Sequence, residues 1–274
     1  MISLHPAKKF RFPVTAECIS PNVFQGKTRE EIEGLQIWEG NKQKKFGELF
    51  KIKEIKTEKL PEKEGITIKG DVSKVQRIGI GMKSGEITIH GNAGMHLGEE
   101  MKGGKIVVHG NVGGWAGSMM KGGTIEIHGN AGDYLGAPYR GSSEGLHGGR
   151  IIVYGNVGNE AGAHMRKGII KIYANVGQFA GLRMHDGTIY VQKDCEGRVG
   201  ACMTGGKIVV GGFLESVLPT FTIDSVKEKV KIEEGETAAG PFYLFIGDLM
   251  ENGNGKLYVF KEKNPHLSHY EKLL

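Results

Sequence analysis

The sequence predicts an all-β protein whose centre is a parallel β-helix, a solenoid of about seven to eight coils with N- and C-terminal capping segments. Three observations predict it. Glycine supplies 45 of the 274 residues, a glycine-led motif returns at a fixed spacing, and branched apolar residues alternate with other residues inside that motif. A period near 20 residues is typical of solenoids. Because there are 8 prolines and no three-residue period, collagen is excluded.

The motif begins with glycine and continues as Gly-x-Ile-x-Ile-His-Gly-Asn-x-Gly or a close variant. Successive copies begin 19, 19, 26, 19, 19 and 19 residues apart. The opening glycines are Gly85, Gly104, Gly123, Gly149, Gly168, Gly187 and Gly206. A looser first copy precedes Gly85, and the last copy dissolves after Phe213. The fourth interval contains an insertion, residues 138–145, which we expect to bulge from the stack while its neighbours keep their register.

Each copy contains one predicted strand, because the second and fourth residues after the opening glycine are isoleucine or valine. These pairs are Ile87/Ile89, Ile106/Val108, Ile125/Ile127, Ile151/Val153, Ile170/Ile172, Ile189/Val191 and Ile208/Val210. Period-two alternation is typical of a short β-strand with one buried face. Three further apolar positions follow, the last of which is Met101, Met120, Met165, Met184 or Met203. Five inward side chains without a helical period predict one coil of a β-helix, with the methionines as core filler.

A stack of coils needs a cover at each end, because every coil buries its apolar surface against its neighbours. We therefore predict an N-terminal cap and arm at 1–63, a repeat domain at 64–212 and a C-terminal cap at 213–274. In the first cap, Thr28 and Glu31 have the spacing of a capping box at the start of a short helix, and the lysine-rich residues 44–59 resemble a strand.

The second cap is predicted to contain a β-hairpin. Residues 243–246 (YLFI) and 256–260 (KLYVF) are apolar and aromatic, and they flank the turn-forming residues 253–255 (GNG). Glycine and asparagine between two such runs indicate a reversal of the chain.

Charge and cysteine content restrict the function classes. The chain has 36 basic and 31 acidic residues and a net charge of +5, which indicates a mixed surface and no nucleic-acid partner. No apolar run approaches the roughly 20 residues of a membrane span, and no secretory signal is visible. Cys18, Cys195 and Cys202 lack the spacing of a disulfide framework or a metal site. We expect a cytoplasmic protein that does not contact a membrane.

Two rows of polar residues invite a metal-binding hypothesis that the pattern does not favour. One corner carries Asp71, Asn92, Asn111, Asn130, Asn156, Asn175 and Asp194. We expect these residues to adopt left-handed backbone and to hydrogen-bond their own turn. Outward positions carry His90, His109, His128, Tyr154 and Tyr173. Because zinc requires convergent ligands, we expect a stacked outer ladder instead.

Catalytic chemistry is not indicated elsewhere either. The cysteines have no evident general base, and the glycine-rich stretches do not connect a strand to a helix as phosphate-binding loops do. We predict no catalytic, cofactor-binding or metal-binding residue in this chain.

One outward position carries large side chains, and it is the first candidate for contact with a partner. Its residues, which we call the stripe, are His96, Trp115, Tyr134, Phe179 and Arg198. Tyr139 and Arg140 in the insertion are the second candidate. Exposed aromatic residues on one face are typical of interfaces. Two alternatives remain open: the terminal segments could cover the stripe, and the insertion could be an ordinary surface loop.

The repeat resembles a known architecture. Residues 91–98 (GNAGMHLG) are similar to the GXGXG β-helix of the C-terminal domain of the glutamate synthase large subunit, over residues 65 to about 212. Further segments resemble the C subunit of formylmethanofuran dehydrogenase: 16–21 (AECISP), 37–40 (IWEG), 47–50 (GELF) and 138–141 (PYRG). The resemblance then extends over nearly the whole chain, and it implies right-handed winding of the β-helix.

This resemblance implies a noncatalytic scaffold in a complex that reduces CO2 and attaches the product to methanofuran in the first step of methanogenesis. In that family a pterin-binding subunit, with tungsten or molybdenum and iron-sulfur clusters, performs the reduction. An amidohydrolase-like subunit with a two-metal site forms the formyl product.

Two alternatives stay open at this point. The first is the similar subunit of a formyltransferase/hydrolase complex, which carries out no redox chemistry. The second is a stand-alone module that binds a protein or the acidic tail of a furan cofactor through Lys121, Arg140, Arg166 or Arg183.

Overall fold

The N-terminal segment forms short strands and helical turns that cover one end of the repeat. The computed structural model describes residues 2–53 and 65–274. The segment contains β1 (Ile2–Pro6), β2 (Val14–Thr15), α1 (Pro21–Phe24), α2 (Arg29–Glu33), β3 (Gln36–Glu39), β4 (Lys42–Lys45), α3 (Phe46–Leu49) and β5 (Phe50–Lys53). Strand β1 pairs antiparallel with β5 and in parallel with the first strand of the repeat, Ile2 lying opposite Ile66.

The capping box is confirmed, whereas the strand predicted over 44–59 is only partly correct. The backbone N–H of Glu31 donates to the Thr28 hydroxyl, and the N–H of Thr28 donates to the Glu31 carboxylate over 2.7 Å. Between β4 and β5 the chain forms the helical turn α3, because Phe46 and Leu49 are three residues apart and both are buried. Residues 54–59 lie outside the described residues.

The repeat forms the central part of one large, mostly parallel sheet. Its strands are β6 (Ile66–Lys69), β8 (Glu86–His90), β9 (Lys105–Val108), β10 (Thr124–Ile127), β11 (Arg150–Val153), β12 (Ile169–Ile172), β13 (Thr188–Val191) and β14 (Lys207–Val210). Each of these strands pairs in parallel with the strand of the next copy, as Ile125 does with Ile106 and Ile151. The short strand β7 (Val75–Gln76) belongs to a second sheet of order β4-β3-β2-β7. The all-β prediction is confirmed.

The core runs along the stack, as the periodic apolar residues predict. Ile125, Ile127 and Met120 have no exposed surface. The methionine row contains one further member, Met82, and Leu146 replaces methionine in the copy with the insertion. A second line of parallel bridges joins the copies at the apolar residue after the corner, from Val72 and Ala93 through Val112, Ala131, Val157, Val176 and Cys195 to Leu214.

The C-terminal segment extends the stack and then folds over its outer face. It contains β15 (Thr222–Glu233), β16 (Glu236–Gly247) and β17 (Gly255–Phe260), with 3-10 turns at Leu249–Glu251, Lys261–Lys263 and Pro265–Leu273. The predicted hairpin is confirmed as the antiparallel pair β16–β17. Strand β17 also pairs in parallel with β14 and so covers the last copy. No helix of the described residues is long and apolar enough to cross a membrane.

Strand β15 was not predicted, because its apolar residues are separated by many lysines and glutamates. Antiparallel pairing makes β15 and β16 a long hairpin. Phe242 and Val230 from this hairpin pack with Val209 and Ile169 in a second, smaller apolar cluster. At the hairpin tip, Lys171 of β12 is only 3% exposed, and it donates hydrogen bonds to Glu233 and Glu236.

Acidification is expected to loosen the hairpin tip. Burial alone would raise the pKa of Glu233, but the hydrogen bond from Lys171 and the charges of Lys171 and Arg150 outweigh it and lower this pKa below its ordinary value near 4.5. Because the folded-state pKa is the lower one, the stabilisation is present above about pH 4.5 and is lost as pH falls through the folded-state pKa. Hydrogen exchange of the tip amides, corrected for intrinsic rates, should therefore accelerate in acid relative to β9 and β10.

The control for this prediction is Glu233→Gln. An amide does not titrate in this range, so the variant should lose most of the acid-dependent part of the exchange. An equal acid response in the variant would show that Glu233 is not the group responsible.

Candidate functional site

The stripe lies on the surface of the stack at a corner with unusual backbone geometry. All five of its residues have left-handed φ angles: His96 60°, Trp115 58°, Tyr134 65°, Phe179 60° and Arg198 64°. For residues other than glycine this backbone costs roughly 1–2 kcal/mol each. Hydrogen bonds between copies hold the corner, since the N–H of Trp115 donates to the Asp133 carbonyl over 2.9 Å.

Three of the stripe residues form a continuous stack of rings. The His96 and Trp115 ring centroids are 5.4 Å apart at an interplanar angle of 7°, and those of Trp115 and Tyr134 are 4.5 Å apart at 16°. Tyr139 of the insertion stands edge-on against this stack, 5.0 Å from His96 and 6.0 Å from Trp115. The stripe and the insertion, two separate features of the sequence, thus form one surface.

The insertion, and not a terminal segment, covers the His96 end of the stripe. His96 is 7% exposed, while Tyr139 is 38% exposed. Trp115 and Tyr134 are half-buried, and Arg140 is exposed beside Tyr139. The surface offered to a partner here therefore consists of Tyr139, Arg140 and the edges of Trp115 and Tyr134, whereas the ring of His96 lies beneath them.

A buried charged group supports the same end of the stripe, and the sequence pattern did not predict it. Glu99 is 3% exposed. Its Oε2 lies 3.4 Å from Nδ1 of His96 and 3.3 Å from Nη1 of Arg77. Arg77 also lies 3.5 Å from Glu17, which ties the N-terminal arm to the repeat. Arg77 precedes His96 by 19 residues, so the repeat period itself could have identified it as a further member of this row.

The far end of the stripe is separate from the aromatic stack. The guanidinium of Arg198 lies 5.1 Å from the ring centroid of Phe179 in a cation–π contact. Between them and Tyr134 the same corner is occupied by Glu160, whose φ is 58°. Burial, with a smaller contribution from the charge of Asp133, raises the pKa of Glu160. The stripe is therefore two patches, and its aromatic character is interrupted by a carboxylate.

The four basic residues proposed to contact an acidic cofactor tail are all exposed. Lys121, Arg166 and Arg183 lie at corners of the stack and Arg140 lies on the insertion. Arg183 and Arg166 are near His164, because their charges, together with burial and His185, lower its pKa. The structure thus gathers Arg166 and Arg183 in one basic region.

The predicted outer ladder is confirmed. Ring centroids in the row His90, His109, His128, Tyr154 and Tyr173 are 4.9, 5.0, 5.0 and 5.2 Å apart, with interplanar angles from 9° to 23°. The rings lie face to face in a straight row, so their nitrogen atoms do not converge on one point. Among the described residues no group of three or more His, Cys, Asp or Glu side chains could hold a metal ion.

The expectation for the asparagine corner was wrong in its mechanism. None of the asparagines in this row has left-handed backbone. Each accepts a hydrogen bond from the backbone N–H of the equivalent residue in the next copy, as Asn92 does from Asn111 and Asn111 does from Asn130, both over 2.8 Å. Only Asp71 bonds its own turn, through the N–H of Ser73. The ladder therefore links copies, and its oxygens are occupied by backbone donors.

The cysteines are poor nucleophiles in this environment. Burial, with the charge of Asp194 as a smaller cause, raises the pKa of the Cys195 thiol. Burial is also the main cause that raises the pKa of Cys18, to about 12. Both thiols are therefore protonated near neutral pH, and thiolate chemistry is disfavoured.

Comparison with known proteins places the chain in a family. It is 51% identical, over 93% of its own length and 94% of the other, to the C subunit of the tungsten-containing formylmethanofuran dehydrogenase 2 of Methanococcus maripaludis. The chain belongs to the family of formylmethanofuran dehydrogenase C subunits. The resemblance seen in the sequence is thereby confirmed. No protein-family model matches this chain.

Other formylmethanofuran dehydrogenase C subunits match over a shorter part. The C subunit of the molybdenum-containing formylmethanofuran dehydrogenase 1 of Methanothermobacter marburgensis is 44% identical over 95 residues, which are 35% of this chain and 23% of that protein. The match thus spans about a quarter of that relative's length.

A solved structure matches almost the whole chain. It is a chain of the formyltransferase/hydrolase complex from Methylorubrum extorquens in complex with methylofuran, with a TM-score of 0.85 and 28% identity. The alignment covers 94% of this chain and 99% of that one. This formylmethanofuran dehydrogenase C subunit thus shares its fold with a component of a multi-subunit complex.

Proposed function

We propose that this chain is the noncatalytic scaffold subunit of a formylmethanofuran dehydrogenase complex. The observation that carries the proposal is its 51% identity, over almost the full length of both chains, to the C subunit of a tungsten-containing enzyme of this kind. The complex would reduce CO2 and form formylmethanofuran. Pterin-binding and amidohydrolase-like partner subunits would hold the tungsten or molybdenum, the iron-sulfur clusters and the two-metal site, in the cytoplasm.

The finer architecture belongs to this proposal. We infer that the copies wind as a right-handed β-helix, with 1–63 and 213–274 as its covers. In-register parallel pairing from β6 to β14 and the second line of bridges support this winding. A stack held by two such lines is stiff along its length, as a scaffold requires, because each copy is fixed by both neighbours.

A second candidate function is supported by the structural match. The same scaffold could serve a formyltransferase/hydrolase complex, since a chain of one such complex has a TM-score of 0.85 with this chain. The higher sequence identity to the dehydrogenase relative favours the first candidate.

Copurification distinguishes the two candidates. A tagged copy of this chain, expressed in its own host, should recover pterin-binding and amidohydrolase-like proteins together with tungsten or molybdenum. Mass spectrometry identifies the proteins, and elemental analysis identifies the metal. A stable complex without redox subunits would favour the formyltransferase/hydrolase role. A chain recovered alone would contradict both.

The surface formed by Trp115, Tyr139 and Arg140 is the proposed partner contact. Arg140→Ala should reduce recovery of partner subunits several-fold without changing the melting temperature, because Arg140 is exposed. Trp115→Ala should also weaken assembly. It should cost this chain only about 0.5–1.5 kcal/mol per lost aromatic pair.

Tyr154→Ala is the matched control, since Tyr154 also stands between two stacked rings, His128 at 5.0 Å and Tyr173 at 5.2 Å, on another face. We expect it to lower stability to a similar degree and to leave assembly intact. Equal loss of assembly in both variants, or normal assembly of Arg140→Ala and Trp115→Ala, would show that the proposed surface is not the contact.

A further inference from the structure

A cleft between the C-terminal hairpin and the end of the stack is lined by five lysines. Lys227, Lys229 and Lys231 belong to β15, whereas Lys207 and Lys256 begin the neighbouring strands β14 and β17. Lys207 and Lys256 are direct partners in the parallel register, so two like charges lie on adjacent strands.

The positive charge of the cleft is not neutralised by the protein. Asp186 is the carboxylate among the lining residues, and its Oδ1 is occupied by the backbone N–H of Gly187 over 2.7 Å. Within residues 2–53 and 65–274, no carboxylate forms an ion pair with any of the five lysines. Lys207 donates instead to the backbone carbonyl of Lys231. Partial burial, and then the charges of Lys231 and Lys256, lower the pKa of Lys207.

The same hairpin neutralises cations elsewhere, which makes the lysine cleft distinct. At its tip, Glu233 and Glu236 pair with Lys171, and Glu233 also pairs with Arg150. Further along, where the hairpin faces Lys207 and Lys256, it presents lysines. Like charges gathered in a partly enclosed cleft destabilise the folded chain unless an anion occupies it.

The geometry of β15 favours a compact anion over an added peptide strand. The pairing of β15 with β16 is irregular between Ile223 and Ser225, between Lys227 and Lys229, and again before Glu233. Bulges and lysines on an edge strand both prevent the pairing of further strands. Edge protection, however, accounts only for the lysines of β15 and not for Lys207 or Lys256, which lie on strands paired on both sides.

We propose that this cleft binds a small, multiply charged oxyanion of the phosphate class. All five cations are lysines, which bind phosphate groups as flexible point charges, whereas planar carboxylate recognition favours arginine forks. The hydroxyl of Thr188 and the side-chain amide of Asn254 at the rim supply neutral donors. This binding site is independent of the proposed scaffold role.

The test uses the full chain and pyrophosphate as the probe, with citrate and sulfate as arms at equal ionic strength. Calorimetric titration should show saturable binding of pyrophosphate that is tighter than that of citrate or sulfate. Saturating pyrophosphate should raise the melting temperature, because a ligand that binds only the folded state stabilises it. Lys256→Gln should weaken pyrophosphate binding by about tenfold, which is about 1.4 kcal/mol.

A second readout does not depend on the ligand. In low-salt buffer without multivalent anions, Lys256→Gln and Lys229→Gln should each raise the melting temperature, because one of the repelling charges is removed. Both side chains are exposed, so neither variant should impair folding.

Lys102→Gln is the matched control, since Lys102 is an exposed lysine at another corner of the stack. It should change the pyrophosphate affinity by less than about twofold and leave the low-salt melting temperature unchanged. The proposal is wrong if pyrophosphate binds no more tightly than sulfate, or if citrate binds in preference to it. It is also wrong if Lys102→Gln weakens binding as much as Lys256→Gln, or if only an extended acidic peptide binds.

Discussion

Ile127→Asp is expected to unfold several neighbouring copies of the repeat together. Ile127 has no exposed surface, and it pairs directly with Val108 and Val153 of the adjacent strands. A carboxylate at this point has no partner and would be costly to retain in the core. We expect a loss of more than about 4 kcal/mol, which is a large part of the stability of an ordinary domain. Because each copy is held by its neighbours, hydrogen exchange should accelerate across β9, β10 and β11 at once.

Lys102→Asp provides the control, because it places the same carboxylate on an exposed corner of the preceding copy. Its free energy of unfolding should change by no more than about 0.5 kcal/mol. Urea denaturation followed by circular dichroism measures both variants. A soluble Ile127→Asp protein with an unchanged denaturation midpoint would contradict the assignment of the buried face.

Gly123→Ala is expected to cause the second largest loss. Gly123 has a φ of 87°, and an added Cβ would lie 2.7 Å from the Met101 Cε and 2.8 Å from the backbone oxygen of Gly104. Two costs therefore add: left-handed backbone at alanine, about 1 kcal/mol, and overpacking against the preceding copy, about 1–3 kcal/mol. The denaturation midpoint should fall correspondingly.

The insertion contains a matched control for this substitution. Gly141 has the same φ of 87°, but an added Cβ would have no atom within 4 Å. Gly141→Ala should therefore cost only the backbone part, about 1 kcal/mol. The difference between the two variants measures how closely successive copies approach. Equal losses in both would show that the contact with Met101 and Gly104 relaxes without cost.

Features that repeat with the period of the chain could be predicted from the sequence. The strands, the buried Ile127 and Met120, and the ring ladder that contains His128 follow from alternation and a 19-residue spacing. These properties are encoded locally in every copy, so each copy confirms the prediction made for its neighbours. The asparagine corner was placed correctly, but its bonds were misjudged because a side chain such as Asn111 can bond either its own turn or the next copy.

Features that occur once in the chain could not be predicted. Nothing near Tyr139 in the sequence indicates that its ring packs edge-on against His96, and nothing near Lys171 indicates that Glu233 and Glu236 will neutralise it. The β15–β16 hairpin has no periodic pattern, since its lysines and glutamates mask the apolar face that packs on Val209.

The order of residues was enough to establish a stack of short strands with an aromatic stripe, an outer ring ladder and a capped N-terminal helix. Three features emerged only from the folded chain: the insertion covers one end of the stripe, Glu99 is buried beneath it, and the hairpin gathers five lysines in one cleft. The cause of this division is distance along the chain. Alternation and capping act between residues a few positions apart, whereas these contacts join segments that only the folded stack brings together.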